Sequence, residues 1–380
     1  SPRSRRPIWP FAIGVMVVTG MAIYVAARAR VRAADVGPIR PVMLTPAEGA
    51  ATTFNASGAT FPYPFYAKLF AEYNGLRPNV RINYSSVGSG QGIRQICDLA
   101  SDFGASDAPM TDEQMRQAKG GQIMHIPMTL GAVVPIYNVP GLPKDRPLVF
   151  SGPVLADIFR GRISAWNDPA IAKLNPDVRL PDAGITVVHR ADGSGTTYVF
   201  TDYLCKVSPE FAKNPGKGTT VNWPAEDKIG AKGSEGMPGV VAKTSGAIGY
   251  VELTYAIRGK IEYGTVVNAA GKPVHARLES VTAAASSFAH PPADLRMSIT
   301  NPSGEEAYPI AAFSYLLVYK NQPDPAKADA LADFLTWAVT DGQRLAPALG
   351  YAPLPAEIVA RDHHQILSLS VNGKPFAALR

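Results

Sequence analysis

Three times along this chain, a short strand-like run passes through a loop of glycine, serine and threonine into a helical pattern. Ser57-Gly58-Ala59-Thr60-Phe61-Pro62 precedes the helical run Tyr66 to Tyr73. Val80 to Tyr84 alternates like a strand and leads through Ser85-Ser86-Val87-Gly88-Ser89-Gly90-Gln91-Gly92 into Ile93 to Leu99. Ile185 to Val188 leads through Arg190-Ala191-Asp192-Gly193-Ser194-Gly195-Thr196-Thr197 into Tyr198 to Leu204. Strands alternating with helices predict an α/β architecture, and in open α/β sheets such loops gather where ligands bind, at the carboxyl ends of the strands. Val133 to Tyr137 reads as a further strand, and Pro153 to Ile158 and Ile171 to Leu174 as helices. Leu331, Phe334, Leu335 and Ala338 mark one face of an amphipathic helix.

The chemistry of these loops suits an oxyanion. A helix N-terminus presents unpaired N–H groups and the positive end of a dipole, glycine permits close approach, and Arg190 offers a planar fork of donors. Each loop alone reads equally well as a capped helix start, with Ser194 or Thr196 bonding its own backbone. Together the three favour an anion seat. Asp107, in Ser106-Asp107-Ala108-Pro109, is the exception, because a carboxylate repels an oxyanion that carries no proton. By itself it reads as a turn or capping aspartate.

Composition removes other classes. The 380 residues carry a formal charge of +6. Arg3, Arg5, Arg6, Arg28, Arg30 and Arg32, in a stretch without acidic residues, account for that whole excess. The remainder is neutral and lacks the clustered cations that nucleic acid requires. Pro7 to Ala27 is uncharged and apolar; it is expected to be an export signal, with a retained anchor the alternative. Ala27-Arg28-Ala29 is an imperfect cleavage site, and Ser4-Arg5-Arg6 allows a twin-arginine signal. Either route delivers the rest, after a linker over 35–50, outside the cytoplasm. Cys97 and Cys205 are expected to be buried free thiols, a disulfide being the alternative. The six histidines show no metal-ligand spacing except the adjacent pair His363-His364, which is expected to be solvated. Asp192-Gly193-Ser194-Gly195 lacks the glycine of a nucleophile elbow, and no phosphate-binding GxxxxGK[ST] motif occurs. No catalytic residue, metal or cofactor is expected. Trp166 and Trp223 are expected to fill the core or flank loops rather than stack on a ligand.

From about Phe54 onward the chain is similar to the periplasmic phosphate-binding proteins of the phosphate-specific ABC importer. The resemblance rests on Ser57-Gly-Ala-Thr60-Phe-Pro, Gly88-Ser89-Gly90, Asp102-Phe-Gly-Ala-Ser-Asp107-Ala-Pro, Arg190-Ala-Asp-Gly-Ser-Gly-Thr196, Gly246-Ala-Ile-Gly-Tyr250-Val-Glu and Leu335-Thr-Trp337-Ala, in that order. It implies a hinged clamp of two α/β domains, 51–130 with 309–380 and 138–304, crossing near 130–138 and 304–309. It implies a phosphate site of Thr60, Phe61, Ser89, Asp107, Arg190, Ser194, Gly195 and Thr196, with Asp192 bracing Arg190 and Asp107 accepting the proton of hydrogen phosphate. Gly90 stands where a second serine is common, so one hydroxyl is in doubt. The implied partners are inorganic phosphate and ABC permease subunits, the protein itself acting as a monomer. A binder of another tetrahedral oxyanion, an exported phosphohydrolase and an anchored phosphate sensor are the alternatives.

Overall fold

The computed structural model describes residues 51–142, 146–287 and 291–375. The expected export signal over 1–34 and linker over 35–50 lie outside the described residues. In chain order, the first part runs β1 Thr52–Gly58, α1 Tyr63–Leu76, β2 Val80–Ser86, α2 Ser89–Cys97, β3 Phe103–Ser106, α3 Asp112–Gln117 and β4 Ile123–Asn138. The middle part runs β5 Val149–Phe150, α4 Gly152–Phe159, α5 Pro169–Leu174, β6 Thr186–Arg190, α6 Gly195–Val207 and α7 Pro209–Lys213. It continues with β7 Lys228–Ala231, α8 Gly233–Lys243, β8 Ala247–Glu252, α9 Leu253–Arg258, β9 Thr265–Val267, β10 Pro273–Val274 and α10 Leu278–Ser286. The last part holds β11 Ala311–Tyr319, β12 Asn321–Gln322, α11 Pro325–Val339, α12 Ala356–Leu367, β13 Ser370–Val371 and β14 Lys374–Pro375.

Eight of these strands form one sheet in the order β2-β1-β3-β11-β4-β8-β6-β7. The protein is α/β, as the alternation of patterns predicts. β4 carries the sheet from one half to the other. Its first part, Ile123 to Ala132, pairs antiparallel with β11, and Val133 to Asn138 pairs antiparallel with β8. In the first half β1 is parallel to β2 and β3, and in the second β6 is parallel to β7 and β8. The sheet thus divides into two lobes with a shared spine.

β4 is far longer than the expected Val133 to Tyr137. All but the last of its sixteen residues are buried, so it lacks the alternation of a one-sided strand. Pro127 is accommodated by a register shift against β11 between Ser314 and Tyr315. α2 ends at Cys97, two residues short of the expected Leu99, which turns out with φ of 60° and is exposed. Cys97 and Cys205 are free as expected but only half buried. Of the adjacent histidines, His364 is exposed and His363 half buried. Trp166 and Trp223 lie in the core, and Leu331, Phe334, Leu335 and Ala338 face inward from α11.

Candidate functional site

Two sets of parallel strands, β1 to β3 in the first lobe and β6 with β7 in the second, run in opposite directions and end where the lobes meet. β1 leads to the turn before α1, β2 to α2, β3 to Asp107, β6 to α6 and β7 to α8. Four helix N-termini and one carboxylate therefore converge where the lobes meet, a seat for a negative charge.

From the first lobe come Thr60 and Phe61, both buried. Their amides lie ahead of the helical ladder, whose first bond here runs from Tyr63 N to Thr60 O at 3.3 Å. Three successive carbonyls in this turn accept tyrosine hydroxyls: Ala59 from Tyr84 at 2.7 Å, Thr60 from Tyr255 at 2.5 Å and Phe61 from Tyr351 at 2.8 Å. Fixing the carbonyls fixes the orientation of the peptide planes, and with them the N–H groups. Ser89 opens α2. Its Oγ accepts from Asp107 N at 3.2 Å and lies 3.4 Å from Asp107 Oδ2, so this hydroxyl supports Asp107.

Asp107 is neither a cap nor a surface turn residue; it is 3% exposed. Ser314 Oγ donates to its Oδ1 at 2.7 Å from beside the β11 register shift. Burial lifts its carboxyl to about 7, against the opposing pull of Ser314 and the charge of Arg190.

From the second lobe, Arg190 ends β6 with a buried guanidinium. Its Nε donates to Asp192 Oδ1 at 2.8 Å and its Nη2 to Asp192 Oδ2. Asp192 Oδ1 also accepts from Gly233 N at 3.0 Å. Burial would raise the Asp192 carboxyl, but the paired bonds and charge of Arg190 outweigh it and hold Asp192 below the usual range. The fork leaves Nη1 to point onward, 3.2 Å from Ser234 Oγ. Ser194 caps α6, its Oγ accepting from Thr197 N at 3.1 Å. A hydroxyl that accepts still holds its proton to donate, so the capping and anion-seat readings of Ser194 are compatible. Gly195 begins α6. A Cβ there would stand 2.5 Å from Asp107 Oδ2, so only glycine allows this contact between lobes. Thr196 Oγ1 is buried without a hydrogen-bond partner among the described residues.

The lobes touch directly. Gly90 N donates to Gly193 O at 2.8 Å, and Ser234 N donates to Thr60 Oγ1 at 3.1 Å. Gly88, with φ of 93°, lies so near Asp192 that a Cβ would stand 2.5 Å from its Oδ2. All nine expected residues thus fall in one cluster at the lobe junction. Sequence reasoning missed Ser234, Ser314 and the three tyrosines. Lys232-Gly233-Ser234 sits at a fourth strand-to-helix joint, so the rule that found the others applied to it. Ser314, inside a buried strand, carries no local signal.

Two α/β lobes with hydrogen-bond donors at facing strand ends define a solute-binding clamp. The PBP superfamily domain matches residues 45–342. The phosphate-binding protein PstS of Xylella fastidiosa (strain 9a5c) is 44% identical over 306 residues, 80% of this chain and 82% of that protein. PstS of Pasteurella multocida (strain Pm70) is 42% identical over 316 residues, 83% and 90% of the two chains. The chain belongs to the PBP superfamily and, within it, to the family of phosphate-binding proteins named PstS. A solved high-affinity periplasmic phosphate-binding protein (PfluDING) bound with phosphate shares the fold, with a TM-score of 0.66 at 21% identity, covering 81% of this chain and 92% of that one. Among the described residues no helix is long and apolar enough to cross a membrane.

Proposed function

We propose that the protein captures inorganic phosphate between its two lobes in the periplasm and delivers it to an ABC permease. The lobes are 51–130 with 309–380 and 138–304, moving about segments near 130–138 and 304–309. Thr60, Phe61, Ser89 and Asp107 bind from one side, and Arg190, Ser194, Gly195 and Thr196 from the other. The action is binding, without catalysis.

One observation carries this reading. The hydroxyl of Thr196, buried without a partner among the described residues, stands in the first turn of α6, the helix that follows the strand ending in Arg190, whose guanidinium Asp192 holds in place. An unpaired buried donor is costly, and an oxyanion is the acceptor that satisfies it together with Arg190. Arg190 and Asp192 cancel in formal charge, so dipoles and N–H groups do much of the holding. Family membership adds support. An N-terminal export signal, whether removed or retained as an anchor, accounts for the periplasmic location.

Calorimetric titration of phosphate-stripped protein is expected to show one tight phosphate site that excess sulfate barely displaces. Equal displacement by sulfate would favour a general tetrahedral-oxyanion binder, and absence of phosphate binding contradicts the proposal.

A further inference from the structure

Glu252, at the junction of β8 and α9 in the second lobe, is fully buried and forms no ion pair among the described residues. An ionised carboxylate in such a place is expensive unless paired. Its partners are Thr254 of its own lobe and Tyr351 of the first, and counting their protons decides its state. Tyr351 OH lies 2.8 Å from Phe61 O and 3.1 Å from Glu252 Oε2. Thr254 Oγ1 lies 3.0 Å from Leu349 O and 3.2 Å from Glu252 Oε1, while Thr254 N donates to Oε2 at 2.9 Å. Each hydroxyl has one proton and faces a carbonyl that can only accept. With an ionised carboxylate, two protons must serve these four oxygen–oxygen contacts. A protonated carboxyl adds a third, and Tyr351 can then donate to Phe61 while accepting from Glu252.

We propose that Glu252 is a positioning residue for the anion site: in the closed clamp it keeps its proton and donates toward Tyr351, whose hydroxyl thereby holds the Phe61 carbonyl. This rests on the phosphate-binding reading above. The turn held is the one that carries Thr60 and Phe61. Tyr351 is itself anchored to β4, since Ala352 and Leu130 exchange backbone bonds at 2.9 and 3.1 Å. The titratable groups facing Glu252 are Asp107, Tyr255 of α9 and Tyr351; Tyr255 in turn faces Glu235 and Arg190. β4 presents Gly131 and Val133, neither titratable. Burial, chiefly, lifts the Glu252 carboxyl to about 8; bonds from Thr254 and Tyr351 oppose the lift and Asp107 adds to it. Opening the lobes separates Glu252 from Tyr351, and Thr254 from Leu349, and admits water, so closure takes up a proton. The sign follows: the contribution to closure is fully present below the ordinary glutamate range and is lost as pH rises through about 8.

The test is phosphate affinity against pH, by calorimetry on the full chain, for wild type, Glu252→Gln and Tyr351→Phe. The amide introduced by Glu252→Gln would donate as the protonated acid does but cannot titrate, and Asp107 is common to all three proteins. At about pH 4, below the ordinary glutamate range, Glu252→Gln is expected to bind within roughly threefold of wild type. Between about pH 4.5 and 8 the wild type is expected to lose at least tenfold relative to Glu252→Gln, with a constant ratio above that. Parallel profiles overturn the proposal. Tyr351→Phe, which tests the relay if Glu252→Gln fails to fold, is expected to bind more weakly with a shallower pH profile. Wild-type steepness in Tyr351→Phe overturns the proposal as well. A wild type that binds no phosphate at any pH instead defeats the functional reading beneath it.

Discussion

In the proposed function, Asp107 and Arg190 divide the work of recognition between acceptor and donor. Hydrogen phosphate keeps a proton that a buried carboxylate accepts, whereas sulfate presents only lone pairs, and a site with fixed partners rejects the ligand that leaves one unpaired. Asp107→Asn turns that acceptor into a donor and is expected to improve sulfate binding at least tenfold relative to phosphate; unchanged discrimination in a competition assay contradicts the role. Because burial raises Asp107 to about 7, its protonated form grows as pH falls through that value. Sulfate competition in the wild type is therefore expected to strengthen below about pH 7 and to vanish above it, and a flat competition profile would count against the assignment. Arg190→Ala removes a buried fork and strands Asp192, and is expected to weaken phosphate binding by about 3 kcal/mol in the same titration. Arg190 and Asp192 were legible because they belong to a glycine-rich loop with a recognisable donor, whereas Asp107 was assigned by the family resemblance alone. Ser314 was not, since its contact with Asp107 exists only after β11 pairs with β3.

At the scale of elements, the seat depends on how closely helix ends can approach. α6 begins with a glycine against Asp107, and α2 follows a glycine with positive φ against Asp192. Gly195→Ala is expected to hold the lobes apart, because overpacking a fitted contact costs about 1–3 kcal/mol. Phosphate affinity is expected to fall by one to two orders of magnitude with little loss of thermal stability; wild-type affinity contradicts the packing argument. The strand-to-helix joints were readable because glycine, serine and proline mark them locally. β4 was not readable at its true length. Buried on both faces and interrupted by Pro127 and Gly131, it resembles a strand in isolation only over Val133 to Tyr137. Leu99 was assigned to a helix on hydrophobic spacing alone, and the chain turns out of the helix before reaching it.

In the whole molecule, one strand serves two half-sheets, and the site forms where their strand ends face each other. The α/β class and the clustering of the loops followed from pattern, while lobe-to-lobe contacts such as Thr60 with Ser234 join residues that sequence spacing cannot relate. Of the tyrosines that hold three consecutive carbonyls, Tyr84 and Tyr351 share the first lobe with them and Tyr255 comes from the second, so the Tyr255 contact is the one that depends on closure. The most direct test of the central claim is a crystal structure of the protein with bound phosphate. The account predicts an anion at the lobe junction bonded by Thr60 and Phe61 from one side, by Arg190, Gly195 and Thr196 from the other, and facing Asp107. An anion held by one lobe alone, or bound elsewhere on the protein, would contradict it.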